Sequence, residues 1–210
     1  MRSRTLKIFP LPIVLFEFET LNLHIFEPRY KTLIADSLST NETFGIPTVI
    51  DKKIMPNGAE VEVLEISKVH TNGELDIVVK VISRFEIVEV LFSSETNTAH
   101  SAIVNPIAFT ENAEKELDCR IFDLLQELYE YAEVVAPAKF NTNTEMLNFV
   151  HKSGLSQSQE FEMVALQNSY DRQLFWIHQL KQIVAAISEI QNMKKAVKLN
   201  GHFKKYPQAF

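Results

Sequence analysis

The sequence predicts an α+β fold: a β-rich N-terminal lobe, built as a small and partly closed barrel over residues 1–109, followed by a helical lobe over residues 110–210 that ends in a long helix. Two observations carry this. Short apolar runs with period-two alternation crowd the first half, whereas apolar residues at helical spacing fill the second. The breakers change in the same way, from Asn57-Gly58 and Asn72-Gly73, which read as hairpin turns, to Pro137 and Gly154, which read as helix stops. Several short antiparallel strands that must hide their edges favour barrel-like curvature.

Phe9, Leu11, Ile13, Val14 and Leu15 form an apolar run broken by Pro10 and Pro12, so it belongs at a sheet edge or is irregular. Leu21, Leu23 and Ile25 alternate with Asn22 and His24, the period of a half-buried strand. Pro28 fits the first turn of a helix, Glu27 complements its positive end, and Tyr30, Leu33, Ile34 and Leu38 follow at helical spacing. Further strands are expected over Thr43–Ile50, around Val61, Val63 and Ile66, along Leu75, Ile77, Val79 and Val81, and at Ala102, Val104 and Ile107. The phase shifts after Ser83-Arg84, which predicts a bulge or corner.

In the second half, Leu117, Ile121, Leu124, Leu125, Leu128, Ala132 and Val135 trace one helical face, stopped by Pro137. Thr142 with Glu145 and Ser156 with Gln159 have capping-box spacing. The final helix is expected from Ser169 or Asp171 to Asn200-Gly201, with Trp176 in its first turns. Its buried stripe would be Leu180, Ile183, Ile187, Ile190, Met193 and Val197. From Gln191 to Phe210 there are five lysines and no acid, a charge pattern that suits a helix C-terminus and a solvated tail.

Composition excludes several classes. The 46% hydrophobic content marks a globular chain, and a net charge of −6 argues against nonspecific nucleic-acid binding. The single cysteine, Cys119, permits neither an intramolecular disulfide nor a Cys-x-x-Cys metal site. With no signal-peptide core and no membrane-length apolar run, a cytoplasmic location is expected. Glycines 45, 58, 73, 154 and 201 are too far apart for a P-loop, a dinucleotide fingerprint or a G-x-S-x-G elbow. No two of the six histidines lie at metal-pair spacing, and His24 and His178 read as surface or packing residues. Glu60, Glu62 and Glu65 read as a solvent face rather than a catalytic set. No catalytic residue, metal or cofactor is expected.

The segment FPLPIVLFEFETLNLHIFEPRY, Phe9 to Tyr30, resembles the opening of the Lon N-terminal domain, the substrate-recognising module of ATP-dependent Lon proteases. TFGIP at Thr43–Pro47, GELDIVVKVISRFEI at Gly73–Ile87 with its Arg84-Phe85 pair, and Gly154-Leu155-Ser156 with Gln167, Asp171, Arg172 and Leu180 extend the resemblance to about Ile8–Ile190. One departure is Glu17-Phe18, where the family commonly has Pro-Gly. The resemblance implies a PUA-like β lobe, a helical lobe and recognition of unfolded or apolar polypeptide segments or of a partner protein, with self-association as a further option. The ATPase and protease parts of Lon are not in this sequence, so a stand-alone, non-catalytic binding module is expected; the alternative is an RNA-binding PUA-like module. Phe16, Phe18 and Phe44 are the candidate polypeptide-contacting residues. Glu27, Pro28, Arg29, Tyr30, Arg84 and Phe85 are motif residues, and Glu27 with Arg29 reads as a structural ion pair whose loss would cost ~3–5 kcal/mol if partly buried. For Phe18, period-two alternation from Phe16 predicts an inward, core position, whereas a turn at Glu17 would expose it.

Overall fold

A computed structural model of the chain describes residues 3–95, 97–132, 147 and 149–201, without the side chains of 195 and 198–201. In chain order the elements are β1 (Arg4–Lys7), β2 (Thr20–Ile25), α1 (Pro28–Thr40), β3 (Phe44–Ile50), β4 (Lys53–Val69), β5 (Leu75–Leu91) and β6 (Ser101–Pro106). They are followed by α2 (Lys115–Tyr131), a 3-10 turn (Val150–Lys152), α3 (Gln157–Ala165) and α4 (Ser169–Gly201). The fold is α+β, an antiparallel sheet followed by a helical part with a long final helix. Among the described residues no helix is long and apolar enough to cross a membrane.

The six strands run in the order β1-β6-β5-β4-β3, with β2 paired to β5 off that path. β5 is the spine. Its residues 75–80 pair with β2, its residues 85–91 pair with β6, and β4 runs beside 75–86. The sheet is not closed, which corrects the partly closed barrel. β1 and β3 are its ends, and the chain after β1 meets β3 only through isolated parallel bridges, Ile8 with Gly45 and Leu11 with Thr48. The Phe9 and Leu11 N–H groups donate to the Gly45 and Pro47 carbonyls of β3 at 2.8 and 3.1 Å, and Pro10 and Pro12 fall at the alternate positions, whose missing N–H groups would face away from β3. β1 itself has no alternating pattern and buries only Leu6, so periodicity could not reveal it.

Asn72-Gly73 makes the expected reversal between β4 and β5. The His70 N–H donates to the Glu74 carbonyl at 2.9 Å, and Gly73 supplies φ +76°. Asn57-Gly58 does not make a turn. Both residues lie inside β4, opposite Glu86 and Phe85. The β3–β4 reversal falls instead at Asp51-Lys52, with φ +49° and +64° and no glycine. The irregularity expected near Ser83-Arg84 is present as a register shift. Glu60 faces Ser83 and Val61 faces Val81, which leaves Ile82 as the extra residue.

The helical part follows its caps. The Ser156–Gln159 capping box is formed, with the Ser156 hydroxyl accepting the Gln159 N–H at 3.3 Å and the Gln159 side chain accepting the Ser156 N–H at 2.9 Å. Val135, Pro137, the Thr142–Glu145 box, Lys204 and Lys205 lie outside the described residues. Trp176 is buried, and its indole N–H donates to the Ser153 hydroxyl at 3.2 Å. The α4 stripe holds only in part. Leu180 is buried and Ile183 and Ile187 are half-buried, but Ile190, Met193 and Val197 are 51%, 66% and 70% exposed. Among the described residues α2 flanks α4 as far as Tyr131, whose carbonyl accepts from Gln191 at 2.9 Å, and Met193 and Val197 lie beyond that point.

One apolar cluster lies between the sheet and α1, a second fills the helical part, and a small third surrounds Phe85. Val14 and Phe16 belong to the helical cluster, so the segment before β2 threads into the second half of the fold.

Candidate functional site

β2 and β6 share one side of β5 and leave Ile82–Arg84 between them. A cavity of about 510 Å³ opens at this gap, where the sheet meets the helices. Ile82, Ser83 and Arg84 line it from the sheet, the 107–113 connection supplies Ile107 and Phe109, and α4 supplies Ser169, Arg172, Gln173 and Trp176. Those four α4 residues follow i, i+3, i+4, i+7 spacing and therefore share one helical face. The connection is fixed to α4 by hydrogen bonds from the Ser169 hydroxyl to Glu111 at 2.9 Å and from the Gln173 amide to the Glu114 carbonyl at 2.9 Å.

The polar floor of the cavity is a buried ion network. Arg172, 3% exposed, holds the Glu17 carboxylate with both terminal guanidinium nitrogens, at 2.5 and 3.0 Å. It also donates to the Leu166 and Val164 carbonyls at 3.1 and 3.0 Å and lies 4.2 Å over the Phe109 ring. Arg84, 4% exposed, stands 3.8 Å from the same carboxylate. Burial lowers the Arg84 pKa to about 10; Glu17 opposes the shift and Arg172 adds to it. Two guanidiniums thus lean on one carboxylate within a largely apolar cleft.

Glu17 reaches this position because the chain turns there. Phe18 adopts φ +66°, a left-handed conformation that few bulky residues take. The turn is tied by the Phe16 N–H donating to the Glu19 carboxylate at 2.8 Å and the Val81 N–H donating to the Glu19 carbonyl at 2.9 Å. It breaks the alternation that would have placed Phe18 in the core, and Phe18 stands 56% exposed at the cavity. Phe16 and Phe44 are fully buried, the first among the helices and the second under the sheet, so neither presents a contact surface. Of the three aromatic candidates the structure brings only Phe18 to the cavity.

The motif residues occupy other places. Pro28 opens α1 after Glu27, and Tyr30 is buried against Phe9 with ring centroids 3.9 Å apart. Arg29 pairs with Glu27 at 2.7 Å, but the two side chains are 33% and 38% exposed. With both side chains about a third exposed, water screens the pair, and it is worth ~1 kcal/mol or less, below the value for a buried one. Arg29→Ala is therefore expected to shift the melting temperature only slightly, as differential scanning calorimetry would show; a large drop would mean that the guanidinium, 4.6 Å from the centre of the Tyr30 ring, contributes much more through stacking. Phe85 is buried beneath Gly45 and Gly58.

Glu60 is buried, against the solvent-face reading, while Glu62 and Glu65 are not. It accepts hydrogen bonds from Arg4, Thr43 and Ser83, which fasten β1, β5 and the residue just before β3 to β4. Burial pushes its carboxyl up, and the bonds from Ser83, Thr43 and Arg4 outweigh that, leaving it below the usual range.

A second ionic junction links the segment before β2 to the helical part. His151, in the 3-10 turn, lies between Glu160 and Glu19, with Nδ1 and Nε2 each 3.1 Å from a carboxylate oxygen. Hydrogen bonds to Glu160 and then Glu19 raise its pKa from 6.5 to about 10. The folded state therefore holds a proton that the unfolded chain releases earlier. This contribution to stability is complete below about pH 6.5 and is lost as the pH rises toward about 10. Urea midpoints are expected to fall across that window more steeply in the wild type than in His151→Gln. Equal slopes would show that His151 does not carry the effect.

The residues that sequence reading missed as a site are Glu17, Arg172, Phe109, Glu111 and Trp176. The available signal was the polar start of the α4 stripe, where Ser169, Arg172 and Gln173 continue the spacing of Trp176 and Leu180.

The class is an α+β domain in which the spine strand of an antiparallel sheet and the start of a long C-terminal helix line one cavity. The ATP-dependent protease La (LON) substrate-binding domain matches residues 5–199, and the chain belongs to this family. Among solved structures it is similar to a Lon N-terminal domain protein from Xanthomonas campestris at 21% identity, covering 87% of this chain and 98% of that one with a TM-score of 0.63. It is also similar to the N-terminal domain of Mycobacterium avium complex Lon protease at 13% identity, covering 89% and 97%, with a TM-score of 0.49. The Xanthomonas structure has the same fold. No curated protein matches the chain.

Proposed function

We propose that the chain is a non-enzymatic binding module that takes an apolar segment of an unfolded polypeptide or partner protein at the cavity beneath Phe18. The observation that carries the proposal is the exposed Phe18, held in a left-handed turn at the mouth of a cleft of about 510 Å³ with largely apolar walls. Exposed apolar surface of this kind marks interaction sites, and aromatic anchors dominate their energetics. The family's designation as the substrate-binding part of a protease supports a protein ligand. The proposal includes two lobes dividing near residue 109, with the cavity at their junction.

The experiment uses Trp176, the single tryptophan and a cavity-lining residue. Titration with a reduced, carboxymethylated model polypeptide is expected to change its fluorescence saturably. Phe18→Ser is expected to weaken binding tenfold or more, equivalent to ~1.4 kcal/mol, while its urea midpoint stays near the wild-type value. A folded Phe18→Ser protein with unchanged affinity would refute the anchor.

A further inference from the structure

We propose that His24, His70 and Asp76 form a binding site for one divalent zinc-class cation on the outer face of the sheet, remote in function from the cavity. The ligand atoms of these three residues all lie within 4.8 Å of one another. Sequence spacing hides the cluster because it comes from three elements. His24 is in β2, directly opposite Asp76 in β5, while His70 follows β4 at the start of the tight turn to β5. The ladder register therefore fixes two ligands, and the turn built on Gly73 fixes the third.

The side chains already converge on a shared point. Asp76 spans the two imidazoles, with Oδ1 2.6 Å from His24 Nδ1 and Oδ2 2.7 Å from His70 Nε2. The rings stand edge to face with centroids 5.4 Å apart. Two imidazoles and one carboxylate make a borderline-soft donor set that suits zinc and its neighbours rather than magnesium or calcium, and water would complete the coordination.

A second observation points the same way. The far nitrogen of His24, Nε2, lies 3.0 Å from the Glu74 carboxylate. A metal-ligating histidine characteristically donates its other ring N–H to a carboxylate, which fixes the tautomer and raises ligand basicity. With Nδ1 on the cation, His24 would have that partner in place. The same contacts without metal require His24 to donate from both nitrogens, so the cation would replace a proton now shared between His24 and Asp76. Lys31 of α1 acts on Glu74 and is the opposing charge at the site's margin. All four residues are partly exposed, so the ion needs no entry path.

The test is calorimetric titration of chelator-stripped full-length protein with zinc chloride in a non-coordinating buffer. One saturable equivalent is expected. His24→Gln and His70→Gln should each weaken it tenfold or more, and Glu74→Gln should weaken it about tenfold while leaving the stoichiometry intact. Circular dichroism checks that the variants fold, and cobalt substitution should give visible ligand-field bands that both histidine variants lose. No saturable equivalent, or an affinity that survives both histidine variants and so belongs to the exposed Cys119 or another residue, would overturn the proposal.

Discussion

Glu17→Gln is expected to lower the unfolding free energy by about 3–5 kcal/mol, the usual consequence of removing one partner of a buried ion pair. Glu17 neutralises two guanidiniums at once, Arg172 through two contacts and Arg84 at 3.8 Å. The amide keeps the shape and one acceptor oxygen but leaves two buried cations facing each other. The already lowered Arg84 pKa shows that burial and the neighbouring Arg172 disfavour its charge even with the carboxylate present. Urea denaturation measures the loss. The discriminating variant is Glu17→Gln with Arg84→Met, which removes one uncompensated cation and is expected to be more stable than Glu17→Gln alone. If the single variant lost under ~1 kcal/mol, or the second change made it worse, the network would not act as a buried clamp. Because Glu17 is next to Phe18, the same variant is expected to disturb the turn that presents the aromatic ring.

Local rules carried much of the fold into view. Strand alternation located β2 and the first half of β5, the Ser156–Gln159 pair marked α3, and the stripe around Trp176 and Leu180 marked α4. Each of these depends on residues a few positions apart. The misreadings depend on partners far away in sequence. The open sheet rests on how the chain after β1 meets β3, through isolated bridges at Ile8 and Leu11 rather than a ladder, which the strands themselves do not encode. Glu60 looks solvated beside Glu62 until Arg4 of β1, Ser83 of β5 and Thr43, just before β3, reach it. The candidate site is the extreme case. Glu17 and Arg172 are 155 residues apart, and only the exposed outcome at Phe18 was visible, as one branch of a turn-or-strand choice. That choice was decided by Glu19, whose carboxylate and carbonyl tie the turn to Phe16 and Val81.

Gly58→Ala is expected to destabilise the protein by about 3 kcal/mol, the upper end of ordinary overpacking, and the reason explains why Asn57-Gly58 is not a turn. Gly58 lies inside β4 opposite Phe85, whose ring is folded over the glycine backbone. A Cβ there would stand 2.5 Å from the Phe85 ring tip and 2.8 Å from the Pro47 Cα. The ring could shift alone, but the Pro47 backbone belongs to β3 and cannot move without opening the β3–β4 ladder. Phe85 is also confined by Gly45, where a Cβ would come within 2.8 Å of the same ring, so the two glycines form one seat for one aromatic side chain. The glycine is present for close approach between strands and not for a positive φ, which is why the hairpin signal at this pair misleads. Phe85→Leu in the Gly58→Ala background should recover part of the loss by clearing the ring, with the remainder due to Pro47. Denaturant midpoints of the two single variants and the double variant measure this coupling. Strict additivity would place the clash elsewhere, and Phe85 would then not be the reason that position 58 is glycine.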